Sequence, residues 1–189
     1  MNSEYLVLFR EAQERTKKFA LRIPRSVQVK NHGKILNDKM TLKVADTFSE
    51  VFREWSNIDF VGECLKSHVI FQPYLEKTIG LPVTYTVGYI EGESQNYFEF
   101  SEHEARNWIT EGIPKEKTKL HSWLSLPSGE IIDLAFLATF AKVNEINLPK
   151  GAIIADYPSN LNGMKYVPMF LGAGFLQKIG ALRIDFKIY

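Results

Sequence analysis

KLHSWLSLPSGEIIDL, residues 119–134, sets two short β-prone runs on either side of a Pro-Ser-Gly turn. Side chains alternate along a strand. Leu120, Leu124 and Leu126 therefore share one face, and His121, Trp123 and Ser125 the other. If Pro127-Ser128-Gly129 forms a three-residue loop, Leu126 faces Glu130 and Trp123 faces Asp133. His121 is then the diagonal neighbour of Asp133, at a Cα separation of about 7–8 Å that an imidazole and a carboxylate can close. A two-residue Ser128-Gly129 turn instead sets Asp133 opposite Leu124, on the wrong face. An acid among apolar neighbours is costly to bury unless it is paired. Taken alone, Asp133 reads equally well as a strand-end residue capping the next helix.

Working outward, LPVTYTVGYI (81–90) reads as a strand and NYFEF (96–100) as its hairpin partner. Ser101 and Glu104 form a capping box for a following helix. Upstream, Cys64 stands at a helix start. Leu65, Val69, Ile70, Tyr74 and Leu75 recur at helical spacing, Pro73 is expected to kink or split the helix, and Gly80 to end it. Residues 4–20 and 44–55 read as amphipathic helices, and 21–43 as loop-rich. After the hairpin come a helix in AFLATFAKVN, an irregular section (144–166), a helix around 169–179 and a final strand, ALRIDFKIY, with Lys187 on an edge. Helices first and an antiparallel meander after them predict an α+β fold in one domain, with helices packed on an antiparallel sheet.

Bulk properties narrow the function. The chain has 189 residues, of which 45% are hydrophobic and 24% charged, ordinary values for a globular domain. With 23 basic and 22 acidic residues the net charge is +1, so no field steers it onto nucleic acid. KEKTK (115–119) reads as a solvated loop. The N-terminus lacks the apolar core of a signal peptide, and no run approaches ~18 apolar residues. The expected location is cytoplasmic, with no membrane partner. A lone cysteine forms no internal disulfide and fits a reducing compartment.

Most lone cysteines are small buried hydrophobes. A thiol in a first helical turn, however, faces free N–H groups and the positive end of the helix dipole, which favour the reactive thiolate. It then needs a base and a group to orient that base. Of four histidines, His32 reads as a solvated loop residue and His103 as surface. His68 lies one turn beyond Cys64, where neighbours seldom align for proton transfer. His121 sits beside Trp123 with Asp133 diagonal to it. There is no HExxH and no paired cysteine, so neither a metal site nor a cofactor is expected.

Gly62 to Cys64 at a helix start, Gly80 to Tyr89, His121 to Trp123, and then Asp133 form an ordered set. It resembles the transglutaminase-like (bacterial transglutaminase-like cysteine peptidase) branch of the papain-like superfamily. The resemblance covers roughly residues 44–140. It implies a catalytic core there and leaves the flanks unplaced; from their own residues these read as an N-terminal helical and loop extension (1–43) and a C-terminal lid, helix and strand (141–189). It also implies a Cys64-His121-Asp133 triad and a thioester formed from a polypeptide or other amide substrate. Hydrolysis, deamidation and transamidation all stay open, as does oligomeric state. The second oxyanion donor is expected among Asn57, Trp55 and Gln72; Trp123 either walls the site or is plain core. His-Ser-Trp replaces the commoner His-Ala-Trp, Leu65 follows the cysteine where many relatives carry Trp, and Glu63 places a negative charge beside the nucleophile. NLNGMKY (160–166) reads as a lid over the cleft. The competing expectation is a non-catalytic binding module on the same scaffold.

Overall fold

The 119–134 segment folds with the longer loop. In a computed structural model of the chain, which describes residues 3–24, 33–114 and 120–182, β3 (His121–Ser125) and β4 (Ile131–Asp133) pair antiparallel, with Leu124 opposite Ile132 and Ser125 opposite Ile131. The Leu126 N–H donates to the Glu130 carbonyl at 2.9 Å. Gly129 closes the loop at φ +87°, a conformation few other residues tolerate. The Glu130 side chain is fully buried. It accepts the Ile35 N–H at 2.7 Å, the Leu36 N–H at 2.9 Å and the Ser128 hydroxyl at 2.5 Å. This carboxylate thereby ties residues 35–36 to the hairpin turn.

The centre of the sheet is β1 (Thr84–Gly92). One of its edges pairs with β6 (Met164–Leu171). The other pairs with β3 over residues 84–88 and with β2 (Asn96–Tyr97) over residues 90–91. Beyond β3 come β4 and β5 (Ile154–Asp156), and every described pairing is antiparallel. Three expectations change here. NYFEF pairs only at Asn96 and Tyr97, because Phe98 turns the chain into the left-handed region, φ +63°. Residues 164–166, expected to belong to a lid, are instead the first part of β6, and residues 169–171, expected to be helical, are its last part. Pro168 masks this strand in the sequence, since proline cannot donate to a ladder. A register shift resolves the conflict: Gly88 faces Pro168 while Val87 faces Phe170, leaving Met169 bulged. The bulge reverses the alternation, so Tyr166 and Leu171 enter the same side of the core.

The remaining elements are helices. α1 (Ser3–Lys18) and α2 (Asp38–Val51) come first. α2 starts earlier than its apolar pattern suggests, because the Asn37 side chain accepts the Met40 N–H at 3.0 Å as a cap. α3 (Cys64–Ile79) runs on through Pro73 without a break and ends at Gly80, φ +69°. Buried Phe71, Leu75 and Ile79 hold it down across the proline. α4 (Glu102–Glu111) starts at the expected capping box, and α5 (Phe136–Val143) and α6 (Gly174–Lys178) complete the set. Residues 25–32, 115–119 and 183–189 lie outside the described part, including His32, KEKTK and most of the expected final strand. Among the described residues no helix is long and apolar enough to cross a membrane.

The sheet is covered on both faces. Phe48, Phe71, Leu75, Tyr85, Leu124 and Phe170 belong to one core, with α2 and α3. Tyr5, Phe9, Trp123, Ile131, Phe136 and Tyr166 belong to the other, with α1. α1 is fixed to β6 by polar contacts as well. Thr16 Oγ1 accepts the Leu171 N–H at 3.0 Å, and Arg15 donates to the carbonyls of Pro168 and Met169 at the bulge. Gly88 sits where the layers are tightest: a Cβ there meets Val167 O at 2.1 Å and Trp123 Cη2 at 2.6 Å. Gly88→Ala should therefore destabilise the fold by about 3 kcal/mol, read as a lower urea midpoint. A midpoint unchanged from the parent would refute this packing of β1 against β6 and Trp123.

Candidate active site

Cys64 is placed by the turn before it. Gly62 reverses the chain at φ +75°, and its N–H donates to Thr139 Oγ1 on α5 at 3.2 Å. Glu63 is the N-cap, yet it makes no side-chain cap bond and is exposed, so its carboxylate faces away from the site. Cys64 follows as the first residue of α3, 5% exposed. Its sulfur lies 3.4 Å from the Leu120 carbonyl, just ahead of β3, and its thiol donates there, next to His121 in the chain.

His121 and Asp133 meet as the hairpin register predicts. His121 Nε2 lies 2.6 Å from Asp133 Oδ2. The carboxylate thereby occupies Nε2. Asp133 is fully buried and its oxygens are saturated. Oδ2 also accepts the Tyr166 hydroxyl at 2.9 Å, and Oδ1 accepts the N–H groups of Ala135 and Phe136, each at 3.0 Å. The two readings of Asp133 thus hold together: it pairs with the histidine and it caps the next helix. Burial opposes its ionisation, but the charge and hydrogen bond of His121 outweigh burial and hold its carboxyl well below the usual carboxylate range. Burial likewise works against a charged His121. The Asp133 charge, the Cys64 charge and the hydrogen bonds to both outweigh it, raising the imidazole to about 10.

A second buried histidine completes the cluster. His68 Nε2 accepts the Leu134 N–H at 2.8 Å, so it carries no proton there, and Nδ1 lies 2.6 Å from the Cys64 carbonyl, to which it donates. That tautomer is neutral. Burial, the largest cause, depresses its pKa to about 4 despite the Asp133 charge, whose Oδ1 is 3.7 Å away. His68 thus joins the first turn of α3 to the end of β4. Ser122 Oγ adds a 3.1 Å bond to the same Cys64 carbonyl and receives the Tyr85 hydroxyl at 2.9 Å.

The other sequence-named residues lie elsewhere or do other work. Asn57 donates its amide to the carbonyls of Leu148 and Pro149 and accepts the Gly151 N–H. Gln72 donates to the Val83 carbonyl. Trp55 packs on Phe52 and Phe60, with the Lys66 ammonium over its face. None of the three is assigned as an oxyanion donor by these contacts. Trp123 is fully buried and donates Nε1 to Tyr5 at 2.8 Å, with its ring beside His121 at 6.0 Å, so it is core on which the imidazole packs. His103 is exposed on α4, near Asn107. Among the described residues no group of three His, Cys, Asp or Glu side chains is placed to hold a metal ion. Pattern reading missed Tyr166 and Phe98. Phe98 stacks on His121 with ring centroids 4.8 Å apart at 18°. The aromatic cluster in NYFEF was the available signal for it; Tyr166 had none, since its strand was masked by Pro168.

The two histidines carry opposite pH signatures. His68 binds its proton near pH 4 when folded and near 6.5 when unfolded, so its stabilising contribution is complete above ~6.5 and is lost as pH falls toward 4. His121 keeps its proton to about pH 10 when folded, so its contribution is complete below ~6.5 and is lost as pH rises toward 10. Each limb approaches a slope of about 1.4 kcal/mol per pH unit. Urea unfolding at several pH values should show His68→Gln losing the acid limb and retaining the alkaline one. Parallel acid-side decline in parent and variant would exclude a neutral buried His68.

No family model matches this sequence, and neither a curated protein nor a solved structure matches it.

Proposed function

We propose that the chain is a cysteine-dependent acyl-transfer enzyme acting on amides, built on a transglutaminase-like core. The observation that carries this is the 2.6 Å Nε2–Oδ2 bond of His121, which directly follows the residue whose carbonyl lies 3.4 Å from the sulfur of Cys64. The reacting pair is protonated His121 with the thiolate of Cys64, the thiol proton residing on the ring. The thiolate attacks the carbonyl carbon, forming a C–S bond and a tetrahedral oxyanion. The N–H of Cys64, at the positive end of α3, stabilises that charge. The imidazolium then gives its proton to the departing amine or ammonia as the C–N bond breaks. Water or an acceptor amine, deprotonated by the same ring, resolves the thioester and regenerates the thiol. Asp133, held by four hydrogen bonds, fixes the ring and stabilises its cationic form. A polypeptide amide is the substrate class that the resemblance suggests, with no cofactor and no metal.

A non-catalytic binding module on the same scaffold is favoured by one observation: Cys64, His121 and Asp133 are 5%, 1% and 0% exposed. Alkylation separates the two. At pH 6, iodoacetamide should label Cys64 in the folded protein, and His121→Ala should slow that labelling by about 100-fold. Equal rates in parent and variant, both checked for folding by circular dichroism, would leave only the binding module.

A further inference from the structure

The imidazole beside the proposed nucleophile is covered, and the cover is unusual. Phe98 lies flat on the face of His121. It does so from a left-handed backbone conformation, φ +63°, that a bulky residue rarely adopts without a reason. It follows β2, where pairing with β1 has ended, so no ladder holds it in place. Its side chain is half-buried, unlike the fully buried rings of the two cores.

Beside this ring lies a cleft of about 270 Å³, walled by Tyr97, Phe98, Phe136 and Phe140, with Val143 at its rim. Val143 is 75% exposed, the most exposed of the large hydrophobic residues in the described chain. The aromatic wall is continuous with the chemistry. Phe140 packs on Phe136 at 5.8 Å, and Phe136 packs on His121 at 5.9 Å. Phe98 is both a wall of the cleft and the lid of the imidazole, so whatever fills the cleft also acts on the lid.

Resting on the acyl-transfer reading, we propose that this cleft receives a large apolar side chain of the polypeptide substrate, next to the reacting amide, and that Phe98 is the gate which this side chain displaces. A flat apolar group entering against Phe136 and Phe140 replaces the contacts Phe98 gives up, and relaxation of the left-handed backbone favours the open position. Access to the sulfur is thereby coupled to the presence of the correct side chain, and thioester formation is confined to substrates that carry it.

Two alkylating reagents test this, iodoacetamide and its N-benzyl derivative, each forming a C–S bond to Cys64 with loss of iodide. After normalisation to free cysteine, the benzyl reagent should label the folded parent about ten-fold faster than iodoacetamide, the discrimination expected of one filled apolar pocket. Val143→Asp should remove most of that advantage. Phe98→Ala should raise the iodoacetamide rate by about ten-fold, since the open state no longer has to be populated first. No benzyl advantage in the parent, or no acceleration in Phe98→Ala, overturns the gate. If both reagents still label the parent and the loss on His121→Ala persists, the nucleophile stands without the gate. If Cys64 in folded Phe98→Ala resists both reagents, the gate and the acyl-transfer reading fall together.

Discussion

A buried carboxylate organises this molecule. Asp133 is fully enclosed, and an ionised acid in that position is tolerable only when its lone pairs are taken. Four donors take them: an imidazole from β3, a phenol from β6 and two backbone N–H groups at the start of α5. His68 from α3 stands 3.7 Å from the same group. Four separate elements are thus committed to one charge. Losing a donor leaves part of a buried charge unsatisfied, so the cluster is held together by the cost of breaking it as much as by the bonds themselves.

The surrounding structure keeps those donors in place. Trp123 packs edge-on to Tyr166 at 5.0 Å and donates to Tyr5, which in turn bonds Ser125 at 2.6 Å. α1 therefore supports the face of the sheet from which His121 and Asp133 project. On the opposite face, Phe71 and Leu75 bury α3 against the sheet and set the height at which its first turn meets Leu120. The Cys64 carbonyl, gripped by His68 and Ser122, fixes the Cys64 backbone relative to the hairpin. Gly88 permits this arrangement because any larger residue would push apart β6 and the indole on which His121 rests.

Enclosure has a chemical consequence. A desolvated thiol, imidazole and carboxylate interact more strongly than they would in water, which suits a preorganised acyl-transfer site. On the acyl-transfer reading, the same enclosure would also have to open for a substrate. The stacked Phe98 is the point at which these two demands meet, since it is the member of the cluster held neither by hydrogen bonds nor by regular strand pairing.

Local chemistry made part of this legible in the sequence. A period of two and a three-residue loop placed His121 diagonal to Asp133. A serine and glutamate three apart started α4, and Gly80 ended α3. These follow from backbone geometry within a few residues, and they account for the α+β class and for the His121–Asp133 pair. Longer-range matters were not legible. β6 was hidden because Pro168 is tolerated only through a bulge that its partner β1 accepts. His68 read as a helical neighbour of Cys64, although one of its decisive bonds comes from the backbone of Leu134, just past β4. Asn57 and Gln72 read as possible oxyanion donors until the fold supplied carbonyls for them elsewhere. Only the tertiary structure decided which strand lies beside which, and hence which polar groups find partners and which ring covers the imidazole, because burial and hydrogen-bond satisfaction depend on residues far apart in the chain.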